Sequence, residues 1–228
     1  MRRLDDDAAL GTLDSFTANR FSGWLSNPTV TDFRVLAPVD ELTICMATLT
    51  GSNPVHAWNR GRIIDVSRLV VMTHDSDSNW VVAREAPLAY RAADGLQHDL
   101  VPPSAEMVEA LRATYVTFVN SSHGHEQRVR VKEGWVVDHV RGTIVLVPEL
   151  KDFDKTTKLR WDTEVDQFSV LAATSTAAVV AVQVVGSWDV VEMRVSGDFL
   201  SGPVPQRLLV VLFRNANGTW EVAQEFEL

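Results

Sequence analysis

Two stretches of this chain are copies of one another, and that duplication limits what the chain can fold into. Leu209–Leu228 reads LVVLFRNANGTWEVAQEFEL, and Leu69–Leu88 reads LVVMTHDSDSNWVVAREAPL. Aligned without a gap, Leu69, Val70, Val71, Trp80, Val82, Ala83, Glu85 and Leu88 fall on Leu209, Val210, Val211, Trp220, Val222, Ala223, Glu225 and Leu228. Each copy is an apolar run, a polar turn and an aromatic restart. Asn215, Asn217 and Gly218 form the turn in the later copy. This is the pattern of a β-hairpin. The alternation in the last hairpin predicts one packed face and one face in water.

A second pair of blocks extends the repeat. Val165–Ser187 aligns without gaps on Val30–Ser52, with Val165, Phe168, Val170, Leu171, Ala172, Gly186 and Ser187 matching Val30, Phe33, Val35, Leu36, Ala37, Gly51 and Ser52. The offset is 135 from Val30 to Val165 and 140 from Leu69 to Leu209. The later copy therefore holds extra residues between its blocks, placed around SGDFLSGPVP. Chance similarity of Val-rich strands is the competing explanation. It does not account for the matched Trp, Phe and Gly.

The rest of each unit follows from local pattern. Leu10, Leu13, Phe16, Phe21, Trp24 and Leu25, behind Asp5, Asp6 and Asp7, predict a helix ending near Asn27-Pro28. Strands are expected over Val30–Ala37 and Leu42–Thr50, turning at Pro38, Asp40 and Glu41, with another from Arg60 to Thr73. Residues 92–103, polar and ending in Pro102-Pro103, are expected to be a linker. Ser104 is a candidate N-cap for a helix whose apolar stripe is Met107, Val108, Leu111, Tyr115, Phe118 and Val119. Thr143–Val147 is a predicted strand, residues 120–135 fit helix or strand equally, and Lys151–Asp162 reads as charged and irregular.

Composition excludes some classes of function. The net charge is −9 and the pI about 5.1. This argues against a protein that binds nucleic acid through massed Lys and Arg. The longest apolar run, Ala177–Val185, is broken by Gln183 and falls short of the roughly 18 residues of a membrane span. MRRLDDDAAL has no apolar core and does not read as a signal peptide. Cys45 is the single cysteine, so no internal disulfide can form; it aligns with Val180 and is expected in the core.

Each unit, a helix followed by antiparallel strands and a closing hairpin, predicts an α+β fold: two tandem cone-shaped domains, each a curved antiparallel sheet packed with N-terminal helices. The expected division is 1–91, a linker at 92–103, and 104–228. The endings Gly218-Thr219-Trp220-Glu221-Val222 and Ser78-Asn79-Trp80-Val81-Val82 resemble the closing G-x-W-x-V strand of the nuclear transport factor 2-like (cystatin-like) fold. The tandem arrangement, with Trp80–Leu88, Pro102-Pro103 and the following Tyr115 and Phe118 at its junction, resembles the TcpC family of conjugation proteins from Gram-positive bacteria. That resemblance implies a non-catalytic scaffold of a DNA-transfer, type IV secretion-like machine. Its partners would be other protein subunits, and it could self-associate as a trimer. It would stand at the extracytoplasmic face of the membrane if a membrane helix preceded the chain. This chain differs from the family pattern in containing no such helix. The alternatives are a ligand-binding or enzymatic cone-fold protein and a Mce-associated-like envelope protein.

No catalytic, cofactor or metal set is identifiable by spacing. His123 and His125 flank Gly124 without a third ligand, which favours a solvated loop. Asp32, Tyr115, Asp166 and Asp198 are the candidates for cavity chemistry, yet the repeat places Asp32 opposite Gln167 and Asp166 opposite Thr31. Asn120 and Asn217 fit the glycosylation pattern, although Asn217 sits in a turn where geometry explains it. Trp58, Trp135, Trp161 and Trp188 lie outside the matched hairpins and are the candidate partner surface.

Overall fold

The apolar runs of both hairpins become strands buried on two faces. The computed structural model describes residues 6–21, 25–52, 63–123, 127–132, 135–138, 143–146, 155–190, 195–198 and 206–227, with side chains over 8–17, 25–52, 63–121, 164–185 and 207–226. Helix α1 (Asp6–Phe21) precedes β1 (Ser26–Val39), β2 (Leu42–Ser52), β3 (Ile63–His74) and β4 (Trp80–Pro87). A short α2 (Tyr90–Leu96) and a long α3 (Ala105–His123) follow. Then come β5 (Gln127–Lys132), β6 (Trp135–Asp138), β7 (Thr143–Leu146), β8 (Lys155–Ala173), β9 (Ala177–Val190), β10 (Val195–Asp198), β11 (Gln206–Arg214) and β12 (Trp220–Glu227).

The fold is α+β with two antiparallel sheets. The first has order β1-β2-β3-β4; the second has order β12-β11-β9-β8-β5-β6-β7, with β10 paired to β9. The repeat is reproduced residue by residue. Phe33 pairs with Ala47, and Phe168 with Val182; Val70 pairs with Glu85, and Val210 with Glu225. Even the irregularities repeat. Register shifts at Val30/Asp32 and Val35/Ala37 recur at Val165/Gln167 and Val170/Ala172, and the shift at Val71/Met72 recurs at Val211/Leu212. A bulge re-aims every side chain beyond it, so shared bulges carry the face assignment from one copy to the other. Among the described residues, β5, β6, β7 and β10 occur in the second copy alone, and β10 lies where the extra residues were expected.

Three apolar clusters organise the chain. Ala9 and Leu13 of α1 pack with Cys45, Ala47, Val70 and Met72 on one face of the first sheet. Leu111, Tyr115 and Val119 of α3 pack with Val180, Val182, Val210 and Leu212 on one face of the second. The third cluster joins the two opposite faces: Leu36, Ile44, Leu69 and Val71 meet Ala172, Val179, Leu209 and Val211, with α2 contributing Ala92, Ala93 and Leu96. Alternate residues of one strand serve different clusters, as the pleat requires. The expected wet face is therefore corrected, since β11 buries Leu209, Val210, Val211 and Leu212 alike.

The expected linker 92–103 begins inside α2, where Ala92, Ala93 and Leu96 are buried. Its polar residues come chiefly after the helix. Lys155–Asp162 belongs to strand β8, paired to β5 and β9, despite its charges. Thr156 and Thr157 supply β-branched residues there, and ladder pairing overrides composition. Ser104 does cap α3, its Oγ accepting from the Met107 amide at 3.2 Å.

The turn between β8 and β9 locks α2 in place. Thr174 is fully buried, and its hydroxyl lies 2.9 Å from the Gly95 carbonyl while accepting from the Ala177 amide at 2.9 Å. Val101 N–H donates to the Ala173 carbonyl at 2.8 Å, and Arg214 N–H to Thr176 at 2.7 Å. A Cβ on Gly95 would come within 2.6 Å of the Ala177 Cβ, so only glycine allows α2 this close to β9. From the first sheet, Arg34 Nη1 reaches the carbonyls of Leu96, Gln97 and His98 at 3.0, 2.8 and 2.6 Å. A cation there answers the negative end of the short helix. Thr174→Val keeps the shape and removes the hydroxyl, leaving buried backbone groups with one partner fewer. It should lower unfolding stability by about 1–3 kcal/mol, measured by urea denaturation.

Candidate functional site

The helix–sheet interiors are where a cone-shaped fold would hold a site, so the polar groups there come first. Glu85 and Glu225 occupy the same position in the two copies. In the first, Glu85 accepts from Arg68 Nε at 2.8 Å, and Nη2 of the same guanidinium also binds it; the two side chains are 12% and 9% exposed. In the second, Glu225 accepts from the hydroxyl of Tyr115 at 2.6 Å. Tyr115 is fully buried, its ring 6.2 Å from Phe118 and 6.5 Å from Phe168. Both glutamates are thus held by a donor from within the chain. No spacing signal marks this position as a polar site, because it lies inside an otherwise apolar match.

Among the candidates for cavity chemistry, Tyr115, Asp32 and Asp166 are not brought together. Tyr115 engages Glu225. Asp32 is exposed on β1, and Asp166 is exposed on β8, accepting from Gln183 Nε2 at 3.0 Å. Asp198 lies in β10, with its side chain outside the described residues. His125 is likewise outside them, and His123 ends α3. No grouping of three metal-ligating side chains occurs among the described residues.

The candidate partner tryptophans are only partly placed. Trp58 lies outside the described residues. Trp161 and Trp188 are register partners across β8 and β9, and Trp135 opens β6 opposite Leu146. The sequence alone does not pair Trp161 with Trp188, since Lys151–Asp162 is charged and shows no strand pattern. The two matched tryptophans seal the hairpin tips. The His74 ring lies tilted against Trp80 with centroids 3.8 Å apart, and Arg214, its counterpart, lies 5.6 Å over Trp220.

Among the described residues, two cavities open between the sheets. One, about 240 Å³, is lined by Leu69, Val71, Leu209 and Phe226, with Arg84 at its side. The other, about 220 Å³, lies between the β1–β2 turn at Val39 and Asp40 and the second sheet at Ser169, Leu171 and Ala181. Both are smaller than the roughly 300–1,000 Å³ of small-molecule sites.

The hairpin tips share a mechanism. Asp75 Oδ1 accepts from the amides of Asp77 and Asn79, both at 2.9 Å; Asn215 Oδ1 accepts from those of Asn217 and Thr219 at 2.9 and 3.0 Å. Ser78 and Gly218 take positive φ of 64° and 80° at the same place. The Asn79 amide, chiefly, holds the Asp75 carboxyl below the usual aspartate pKa, assisted by the Asn79 side chain, the Asp77 amide and His74. Partial desolvation opposes them. A folded pKa below the unfolded one stabilises the fold above the unfolded value, near pH 4, and that contribution disappears as pH falls through the folded value. Asp75→Asn keeps the acceptor but removes the charge, so it should lower neutral-pH stability slightly and flatten the stability profile below about pH 4, measured by thermal melts across pH. For the buried pair, Tyr115→Phe should cost about 1–2 kcal/mol in chemical denaturation with the secondary structure retained by circular dichroism.

No protein-family model and no curated protein matches this chain. Among solved structures it is similar to an Ntf2 like protein involved in plasmid conjugation, at 10% identity over 95% of this chain and 89% of that one, with a TM-score of 0.31. The looseness of that superposition allows no residue to be carried across. No helix among the described residues is long and apolar enough to cross a membrane.

Proposed function

We propose that this chain is a non-catalytic assembly component of a conjugative DNA-transfer machine of the type IV secretion kind, two nuclear transport factor 2-like units (1–91 and 104–228, joined through 92–103) serving as a scaffold for protein subunits. The observation that carries this reading is the use made of the duplicated glutamate. In both helix–sheet interiors, where the fold would place chemistry, that acid is committed to an internal donor, Arg68 or Tyr115, amid apolar packing. The duplication preserved packing positions, and packing positions are what a scaffold needs. The link to conjugation comes from the tandem arrangement and its resemblance to the TcpC family. In that setting the chain stands on the extracytoplasmic side if a membrane helix precedes it, works without a cofactor, and assembles as a trimer or with neighbouring subunits.

The test is assembly. Light scattering behind size exclusion should give a mass that is a multiple of the 25.3 kDa chain, or pulldown should recover a transfer-machine subunit. A strict monomer that captures no such subunit would sink the proposal.

A further inference from the structure

The two long helices cover matching faces of the two sheets, but they are held there differently. α3 buries Leu111, Tyr115 and Val119, one residue per turn, and the Tyr115 hydroxyl donates to Glu225 of the sheet at 2.6 Å. α1 buries Ala9, Leu13 and Thr17, again one residue per turn. Phe16 flanks the first stripe and Phe118 the second, both partly buried, so the contrast lies in the stripes. Alanine and threonine withdraw less apolar area from water than leucine, tyrosine and valine, and α1 gains less by docking. Thr17 also opposes docking. Its hydroxyl is fully buried and has no hydrogen-bond partner among the described residues. A hydroxyl that gives up water without gaining a partner favours the state in which it is wet. That state is reached when α1 lifts.

Three further features lower the cost of lifting. Gly11 lies within α1, and a Cβ there would meet no atom within 4 Å. The glycine serves no close packing, yet it favours the uncoiled chain over the helix. In the sheet beneath, Glu85 is bound by Arg68 of the neighbouring strand. It keeps that donor when α1 leaves, whereas Glu225 would lose Tyr115 if α3 left. Asp14 of α1 accepts from the Val30 amide at 3.3 Å, but it is exposed, so water can take its place.

We infer that α1 is a detachable cover. It opens as a unit and uncovers the apolar face of Ala47, Leu49, Val70 and Met72, while both sheets, α2 and α3 stay folded. Parts of one protein open with different free energies, and elements with little buried apolar surface open first. α2 does not share this freedom, because Arg34 and Thr174 hold it from both repeats. The first repeat thereby has a closed state and an open one, and α3 is fixed by Tyr115. This motion does not depend on what the chain assembles with, so it stands apart from the scaffold reading.

Cys45, the single cysteine, reports the opening, since it is fully buried in the cluster that Ala9 and Leu13 complete. The full chain is reacted with dithionitrobenzoate, at levels where the rate stays proportional to reagent, without urea and in urea below the unfolding transition. The labelling rate at low urea should rise with a slope well below that of global unfolding, because only one helix is exposed. Gly11→Ala should slow labelling about fivefold, and Thr17→Val, which removes the buried hydroxyl, should slow it similarly. Tyr115→Phe, which weakens the α3 side, should lower the global urea midpoint and leave the labelling rate without urea unchanged. A labelling slope equal to that of global unfolding down to zero urea would overturn the inference. So would acceleration by Tyr115→Phe in proportion to the stability it removes, or an unchanged rate in Gly11→Ala. The added methyl of that last variant meets nothing in the fold, so misfolding cannot produce the result.

Discussion

Among the described residues, the central strands of both sheets are apolar on both faces, and each copy brings one long helix. α1 covers one face of the first sheet and α3 one face of the second. The remaining faces must be withdrawn from water, because apolar surface left exposed forgoes about 25 cal/mol for each Å². The two repeats solve this by covering each other, so that Leu69 and Val71 share a cluster with their own counterparts Leu209 and Val211. The face is self-complementary, as in the contact of a two-fold dimer, but within one chain. α2 fits into that contact because Gly95 has no side chain, and Thr174 and Arg34 hold it from either repeat.

This arrangement explains what could be read from sequence. The hairpins, their tryptophans and the offset between copies were legible because strand pairing and bulges are local consequences of residue pattern. The capping of α3 by Ser104 and its stripe at Leu111, Tyr115 and Val119 were legible for the same reason. The second buried face was not. A run such as LVVL fits a strand packed on one side or on two, and only the partner sheet decides. α2 was missed because two turns give too few residues for periodicity. Its glycine reads as a loop residue until Ala177 is placed against it. β8 was missed at its charged end, where pairing with β5 and β9 was invisible without register.

The polar positions show how a duplicated fold diverges. Glu85 and Glu225 keep the same acid at the same register, opposite Val70 and Val210. Their donors differ in origin. Arg68 comes from the neighbouring strand, and its counterpart is Leu208, which packs in the α3 cluster. With the guanidinium gone from the second copy, the carboxylate takes its hydrogen bond from Tyr115 on the helix instead. A half-buried carboxylate without a donor is costly, so replacement of one donor demands another. The exchange ties α3 to β12 and gives the second interior its aromatic packing with Phe118 and Phe168.

The contact between the repeats has diverged in the same manner. Gln224 of β12 reaches across to the first repeat, its Nε2 donating to the Pro87 carbonyl and its Oε1 accepting from the Ala89 amide at 3.0 Å. Its counterpart, Arg84, instead stands exposed beside the 240 Å³ cavity. Arg34 clamps α2, while Ser169 lines an opening. On each comparison the residues near α2 make directional bonds, and their counterparts leave polar groups and space. A contact that began with equivalent sides has become closed on one side and open on the other.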